Sequence, residues 1–203
     1  KVKDIISVIE EFAPLSLQES WDNSGLCIGS PEDSVSSVLL GLDCTPELVD
    51  EAISCGADMI VTHHPLIFSG LKKISPEDKV GEAVIKAIKA GISIYAAHTS
   101  ADKVIAGVSG AMAARLGLKD VAILDEDGDG TGLGVVGNLP EAMAAEDVIR
   151  LVKDRFGLKA MRASRPVDGM IERIALCGGS GGSLIKAARR SGAQLYISGD
   201  ISY

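Results

Sequence analysis

The chain has 203 residues, enough for one large domain or two small ones. Hydrophobic residues make up 46% of it and aromatic residues only 3%, so its core must be aliphatic. A formal net charge of −8 argues against a protein that grips nucleic acid through its general surface, because phosphate binding needs clustered Lys and Arg, although a local basic pocket stays open.

Val2, Ile5, Ile6, Val8, Ile9 and Phe12 form a helical stripe that ends near Pro14. A polar turn from Glu19 to Gly25 holds the only tryptophan, Trp21, and leads into a short strand, Leu26 to Ile28. Val35 to Leu42 reads as a second strand. Thr45 is placed to cap the helix Glu47 to Cys55, with Pro46 at its first position and Gly56 at its end.

The next stretch, Asp58 to Phe68, organises the chain. Met59, Ile60 and Val61 run through Thr62 into His63 and His64, and Pro65 stops the strand. A short apolar run after Gly56-Ala57 reads as a strand buried on both faces, whose carboxyl end is where open α/β sheets bind ligands. Two of the chain's three histidines stand here side by side. A straight strand would point them to opposite faces, but a bend at Pro65 lets both rings serve metal ions. The alternative is one buried histidine beside an exposed one.

A helix is expected over Pro76 to Ala90, closed by Gly91, then a strand from Ile92 to Ala97 that leads into His98-Thr99-Ser100-Ala101-Asp102. Asp102 would sit in the first turn of a helix starting near Thr99, close to the strand tip. With His63, His64 and His98 it makes a mixed nitrogen and oxygen set suited to Zn²⁺, Fe²⁺ or Mn²⁺ rather than Ca²⁺ or Mg²⁺. The bland readings are a hydrogen-bonded strand-end histidine at His98 and a helix-start carboxylate at Asp102.

Val104 to Leu116 reads as helix. Asp125-Glu126-Asp127-Gly128-Asp129-Gly130 matches the start of a calcium loop, but its twelfth position is Val136 where a Glu is needed, so it reads as a solvated acidic turn and a candidate boundary between halves. Beyond it are expected a Gly-rich strand (Gly132 to Leu139), a helix (Ala144 to Phe156) and a short strand near Lys159 to Ala163. A strand (Ile171 to Cys177), a helix (Leu184 to Ser191) and a strand (Gln194 to Ser198) follow. Gly178 to Ser183 fits neither a dinucleotide fingerprint nor a P-loop, and reads as a flexible turn or a phosphate cradle.

Displaced by 136 residues, Val38 to His64 falls on Ile174 to Asp200 without a gap, matching Leu48 to Leu184, Ala52 to Ala188, Gly56 to Gly192 and Ala57 to Ala193. The shared constraint is a right-handed β-α-β crossover. A duplicated architecture is favoured, with Asp200 in the place of His64 and two half-sites facing across a cleft.

Cys27, Cys44, Cys55 and Cys177 lack metal-knuckle spacing and read as free thiols of a reducing compartment, the cytoplasm by default. No stretch is long and apolar enough to span a bilayer. The chain opens without methionine and stops at Tyr203 straight after a strand, so further residues are expected beyond it.

Several motifs together resemble those of the Nif-three-like family, whose members are named as GTP cyclohydrolase 1 type 2 homologues. They are Trp21-Asp22-Asn23-Ser24-Gly25-Leu26, Thr62 to Phe68, Ala96-Ala97-His98-Thr99 with Asp102, the Gly178 to Gly181 turn, and Ser198-Gly199-Asp200-Ile201-Ser202-Tyr203. The resemblance implies an α/β fold of two intertwined repeats with mixed sheets, here divided at 1–124 and 125–203. It implies two divalent metal ions, a nucleotide or other phosphorylated small-molecule substrate, and a homohexameric ring. Position by position, His63, His64 and Asp102 match family metal ligands, and His98 matches a site histidine placed in a catalytic role or behind the ligands. Ser100-Ala101 departs from the family's Asn-Leu, and the His and Glu that complete the family site would lie beyond Tyr203. A metal-dependent hydrolase is the leading expectation, a non-enzymatic metal-binding adaptor the second, and a nucleotide-binding oxidoreductase is disfavoured.

Overall fold

A computed structural model describes residues 1–164 and 168–201; Ser202 and Tyr203 of the last motif lie outside the described residues. The chain divides into two compact units, Lys1–Ala101 and Asp102–Tyr203. Each carries one mixed four-stranded sheet, so the fold class is α/β as the motifs implied.

The first unit runs α1 (Val2–Phe12), β1 (Gly25–Ile28), β2 (Val38–Gly41), α2 (Pro46–Cys55), β3 (Met59–Thr62), α3 (Lys79–Ala90) and β4 (Ser93–Ala96), followed by the one-turn helix α4 (Thr99–Asp102) that crosses into the second unit. Its sheet order is β1-β4-β3-β2, with β2, β3 and β4 parallel and β1 antiparallel at the edge. Ile60 and Ile94 pack with Val49, Ala52, Ala83 and Ala87 of α2 and α3 on one face. Met59 and Tyr95 pack with Val2 and the α1 stripe on the other. Successive residues therefore alternate between two apolar layers, which is why this short run contains no polar position before Thr62.

Local signals acted where expected. Thr45 Oγ1 accepts from Leu48 N at 3.2 Å, and Gly56 takes the left-handed conformation that closes α2. The helix expected from Pro76 instead starts at Lys79, because Asp78 caps it by accepting from Gly81 N. The second strand is confined to Val38–Gly41.

The second unit runs α5 (Val108–Leu116), β5 (Lys119–Gly128), β6 (Thr131–Ala144), α6 (Ala145–Phe156), β7 (Met170–Ser180), α7 (Ile185–Arg190) and β8 (Leu195–Asp200). Its sheet order is β5-β6-β7-β8, antiparallel except for the last pair. Helices α5 and α6 cover one face through Leu116, Val148 and Val152, and Ala188 of α7 covers the other. The helix expected from Val104 begins only at Val108, and no strand forms over 159–163.

The acidic stretch from Asp125 to Gly130 is the tip of the β5–β6 hairpin, inside the second unit. Asp129 and Gly130 both have positive φ (57° and 73°), the pair a two-residue hairpin turn demands. Two of its carboxylates face cations, Asp127 at 2.7 Å from Lys103 Nζ and Asp125 at 3.6 Å from Arg190.

Candidate metal centre

Strands β3 and β4 are parallel neighbours, so their carboxyl ends lie side by side. His63 follows β3 directly and His98 stands two residues past β4, which brings the rings within 5.1 Å of each other. His64 joins them because the chain bends after Thr62: Thr62 Oγ1 donates to His64 O at 2.8 Å, and His64 N donates back to Leu42 O at the end of β2. The His64 ring centroid lies 4.9 Å from that of His63 and 5.5 Å from that of His98. One ligand atom from each of the three lies within 4.8 Å of the others, so this cluster could hold a metal ion. Donors about 2.1 Å from one Zn²⁺ are at most about 4.2 Å apart, so a small side-chain adjustment closes the set.

Each ring is also held from behind by an oxygen. His63 Nδ1 lies 3.0 Å from Ala97 O, His64 Nδ1 lies 2.7 Å from Asp43 Oδ1, and His98 Nδ1 lies 2.8 Å from Asp22 Oδ1. A carbonyl or carboxylate accepts here, so in the neutral ring Nδ1 carries the proton in all three and Nε2 keeps its lone pair. This backing is what metal-ligating histidines usually have, and it fixes tautomer and ring direction together.

The three supports differ in depth. Asp22 has a side chain with no solvent exposure and takes four further contacts: Thr99 Oγ1 at 2.5 Å, Ser24 Oγ at 2.8 Å, Thr99 N at 3.1 Å and Asn23 N at 2.7 Å. Burial pushes its carboxyl up, but the donors from Thr99, His98 and Ser24 outweigh burial and hold it well below the usual carboxylate range. Asp43 is 58% exposed and its partner His64 45%, so that pair is open to water. Ser100, which follows Thr99 in α4, carries a buried Oγ with no hydrogen-bond partner among the described residues, at a position where the motif departs from the family pattern.

Three of the four site residues read from the sequence, His63, His64 and His98, are thus brought together within the first unit. Asp102 closes α4 and is the first residue of the second unit, where its charge adds to the burial that raises the Cys177 thiol. Asp22 and Asp43 are supports that sequence reasoning left without a role. Asp22 lies inside the Trp21 to Leu26 motif, and Asp43 stands two residues past β2, the strand beside the His-His tip; both become legible once each imidazole is required to have an acceptor behind it.

The cleft beside His64, lined by Asp43, Thr45, Lys79 and Leu66, is small at about 130 Å³. A larger groove of about 480 Å³ in the second unit is lined by Ile149, Ile171, Leu195 and Tyr196 and contains no histidine, so volume does not mark the chemistry here. Two amides of the glycine turn are already engaged: Gly181 N donates to Ser198 Oγ and Asp200 O, and Gly178 N to Ser109 Oγ. A Cβ at Gly181 would stand 2.2 Å from the Tyr196 hydroxyl, so close packing is what demands that glycine.

The profile of the Duf34/NIF3 family (NGG1p interacting factor 3) matches residues 1–203. A Clostridium perfringens protein named GTP cyclohydrolase 1 type 2 homolog is 37% identical over all of this chain and 78% of its own length. The crystal structure of a hypothetical protein from Staphylococcus aureus superposes with a TM-score of 0.95 at 30% identity, covering all of this chain and 80% of that one. A Bacillus cereus protein related to NIF3 gives 0.91 at 26% identity, covering all of this chain and 82% of its own. Together with the histidine cluster at the strand tips, these matches show that the chain belongs to the DUF34/NIF3 family.

Proposed function

We propose that the protein is a dinuclear metal-dependent hydrolase acting on a nucleotide or another phosphorylated small molecule. The observation that carries this is the gathering of three imidazoles, each backed at Nδ1 by Ala97 O, Asp43 or Asp22, which in the neutral rings frees His63 and His64 to bind metal and His98 to move a proton. In this reading His63, His64 and Asp102 hold the ions, which would be Zn²⁺, Fe²⁺ or Mn²⁺. A divalent ion held there would supply Lewis acidity, activating water and polarising phosphoryl or carbonyl oxygens. His98 is the catalytic residue, moving a proton at Nε2 while Asp22 holds Nδ1 and stabilises the imidazolium that forms. Hydrolytic opening of the GTP ring is the specific form that the relatives' name carries. The reading includes a homohexamer in the cytoplasm, which ultracentrifugation of the purified protein tests. Among the described residues no helix is long and apolar enough to cross a membrane.

Replacing His63 and His64 together by Ala is expected to abolish bound metal, read by elemental analysis, and turnover, read by chromatography of a nucleotide panel. Full turnover by metal-free protein would refute the mechanism. The family's description as an interacting factor favours a second reading, a non-enzymatic metal-binding adaptor. The same panel separates the two, because the adaptor binds metal and converts no nucleotide.

A further inference from the structure

Three aromatic rings are largely exposed among the described residues: Phe12, Trp21 and Phe68. Phe12 ends α1. The other two stand together, with centroids 6.0 Å apart and planes tilted by 50°. Both also stand against the ring of His98, edge-on at 6.1 Å for Trp21 and 6.3 Å for Phe68. Trp21 is 58% exposed and Phe68 52%, in a chain only 3% aromatic.

These rings are not loose. Asp22, next to Trp21, is tied to His98 and to the amide and hydroxyl of Thr99. Asn23 donates its side-chain amide to Ile67 O, next to Phe68, which fastens the two loops to each other. The first unit therefore spends a buried carboxylate and an inter-loop hydrogen bond on fixing two apolar rings that water still reaches. Such pre-organisation lowers the cost of binding a ligand ring, and an aromatic face accepts any planar base by stacking.

We infer that Trp21 and Phe68 form a binding wall beside the histidine cluster for a planar heteroaromatic ring of the substrate. This rests on the proposal that the cluster is a metal-dependent site, and it narrows the substrate from any phosphorylated compound to one that carries such a ring. His98, edge-on to both rings, then presents its Nε2 next to the seated ring.

Trp21 is the only tryptophan of residues 1–203, so the fluorescence of this chain reports the wall alone. The test titrates zinc-loaded, full-length protein with adenosine monophosphate and, separately, with ribose phosphate, which has the same anionic group and no ring. Emission is excited at the red edge of tryptophan absorption, and zinc content is measured in the same samples. The expected result is saturable quenching by the nucleotide alone. Phe68→Ala should raise its dissociation constant about tenfold, and Trp21→Ala, followed by calorimetry because the reporter is gone, should do the same. Equal binding of ribose phosphate, or nucleotide binding unchanged in both variants, would overturn the inference. Zinc retained without ring preference would mean that the wall fails while the metal reading stands. Ring-dependent quenching in protein that holds no zinc would mean that the wall stands while the metal reading fails.

Discussion

In the first unit β2 and β3 pair Val38 with Met59 and Gly41 with Thr62; in the second β7 and β8 pair Ile174 with Leu195 and Cys177 with Ser198, each position displaced by 136 residues. The likeness continues one step past the pairing. Thr62 Oγ1 donates to the carbonyl of His64, and Ser198 Oγ donates to the carbonyl of Asp200, both at 2.8 Å. Then the two crossovers part. The first ends at Thr62 and bends away through His63, His64 and Pro65. The second shifts register between Cys177 and Ser180, so that Asp200 still pairs with Ser180 inside β8. One backbone plan thus gives an open tip bearing two imidazoles and a closed tip sealed by its own glycine turn. The crossover decides where a site can be, and the three residues after the strand decide whether one exists.

The sharpest way to test the open tip is to remove the oxygens behind its rings without touching a ring. Asp22→Ala leaves the Thr99 hydroxyl and His98 Nδ1 without their buried acceptor, since the carboxylate has no exposure of its own. Zinc affinity should fall about 10- to 100-fold, and stability by about 3 kcal/mol, read by competition with a chelator and by urea unfolding. Asp43→Ala, at an exposed pair, should change zinc affinity by less than tenfold and stability by less than about 1 kcal/mol. Equal effects of the two substitutions would mean that burial does not rank the supports.

Both units bury groups whose ionisation burial resists, but unequally. In the first, burial pushes the Cys27 thiol up to about 11, and burial with the neighbouring Cys27 pushes Cys44 up to about 12. The second unit has one such thiol, Cys177. A raised folded value means that the stability is fully present below the ordinary thiol value of about 8.5 and is lost as pH rises toward the folded values, because only the unfolded chain sheds the proton. Two thiols together cost up to about 2 to 3 kcal/mol per pH unit above that point. The urea midpoint read by Trp21 fluorescence, which reports only the first unit, should therefore fall faster between neutral and alkaline pH than the midpoint read by far-ultraviolet circular dichroism. Parallel falls would show that the two units lose stability together.

How much of this was legible from residues alone follows from how local each signal is. The alternation of Met59, Ile60 and Val61 between two apolar layers, the Thr45 cap and the offset repeat are written in short segments, and the structure keeps all three, the repeat down to its pairing register. The roles of Asp22 and Asp43 depend on contacts 76 and 21 residues away in sequence, set by the order β1-β4-β3-β2. No local pattern encodes that order. The acidic stretch reads as a solvated turn and is one; that it joins two paired strands was legible in principle, because Asp129-Gly130 between two alternating runs is a hairpin signal. The strand expected over 159–163 shows the limit of composition: a short mixed run without a partner edge stays irregular.

The smallest expected effect concerns the closed tip. Positions 63 and 199 are equivalent on the repeat, yet one carries an imidazole and the other a glycine. A Cβ at Gly199 would stand 2.9 Å from the backbone oxygen of Gly179, a contact that no rotamer change relieves because the obstacle is main chain. Gly199→Ala should therefore cost about 1–2 kcal/mol through strain between β7 and β8, measured by urea unfolding followed by circular dichroism. His63→Ala in metal-free protein should cost less, since the ring is only partly buried and its removal leaves the bend held by Thr62 and Leu42. Alanine at one tip would then cost metal and spare the fold, and alanine at the other would cost the fold. If Gly199→Ala proves neutral, the register shift does not seal the second tip, and the absence of histidines there would need a reason other than space.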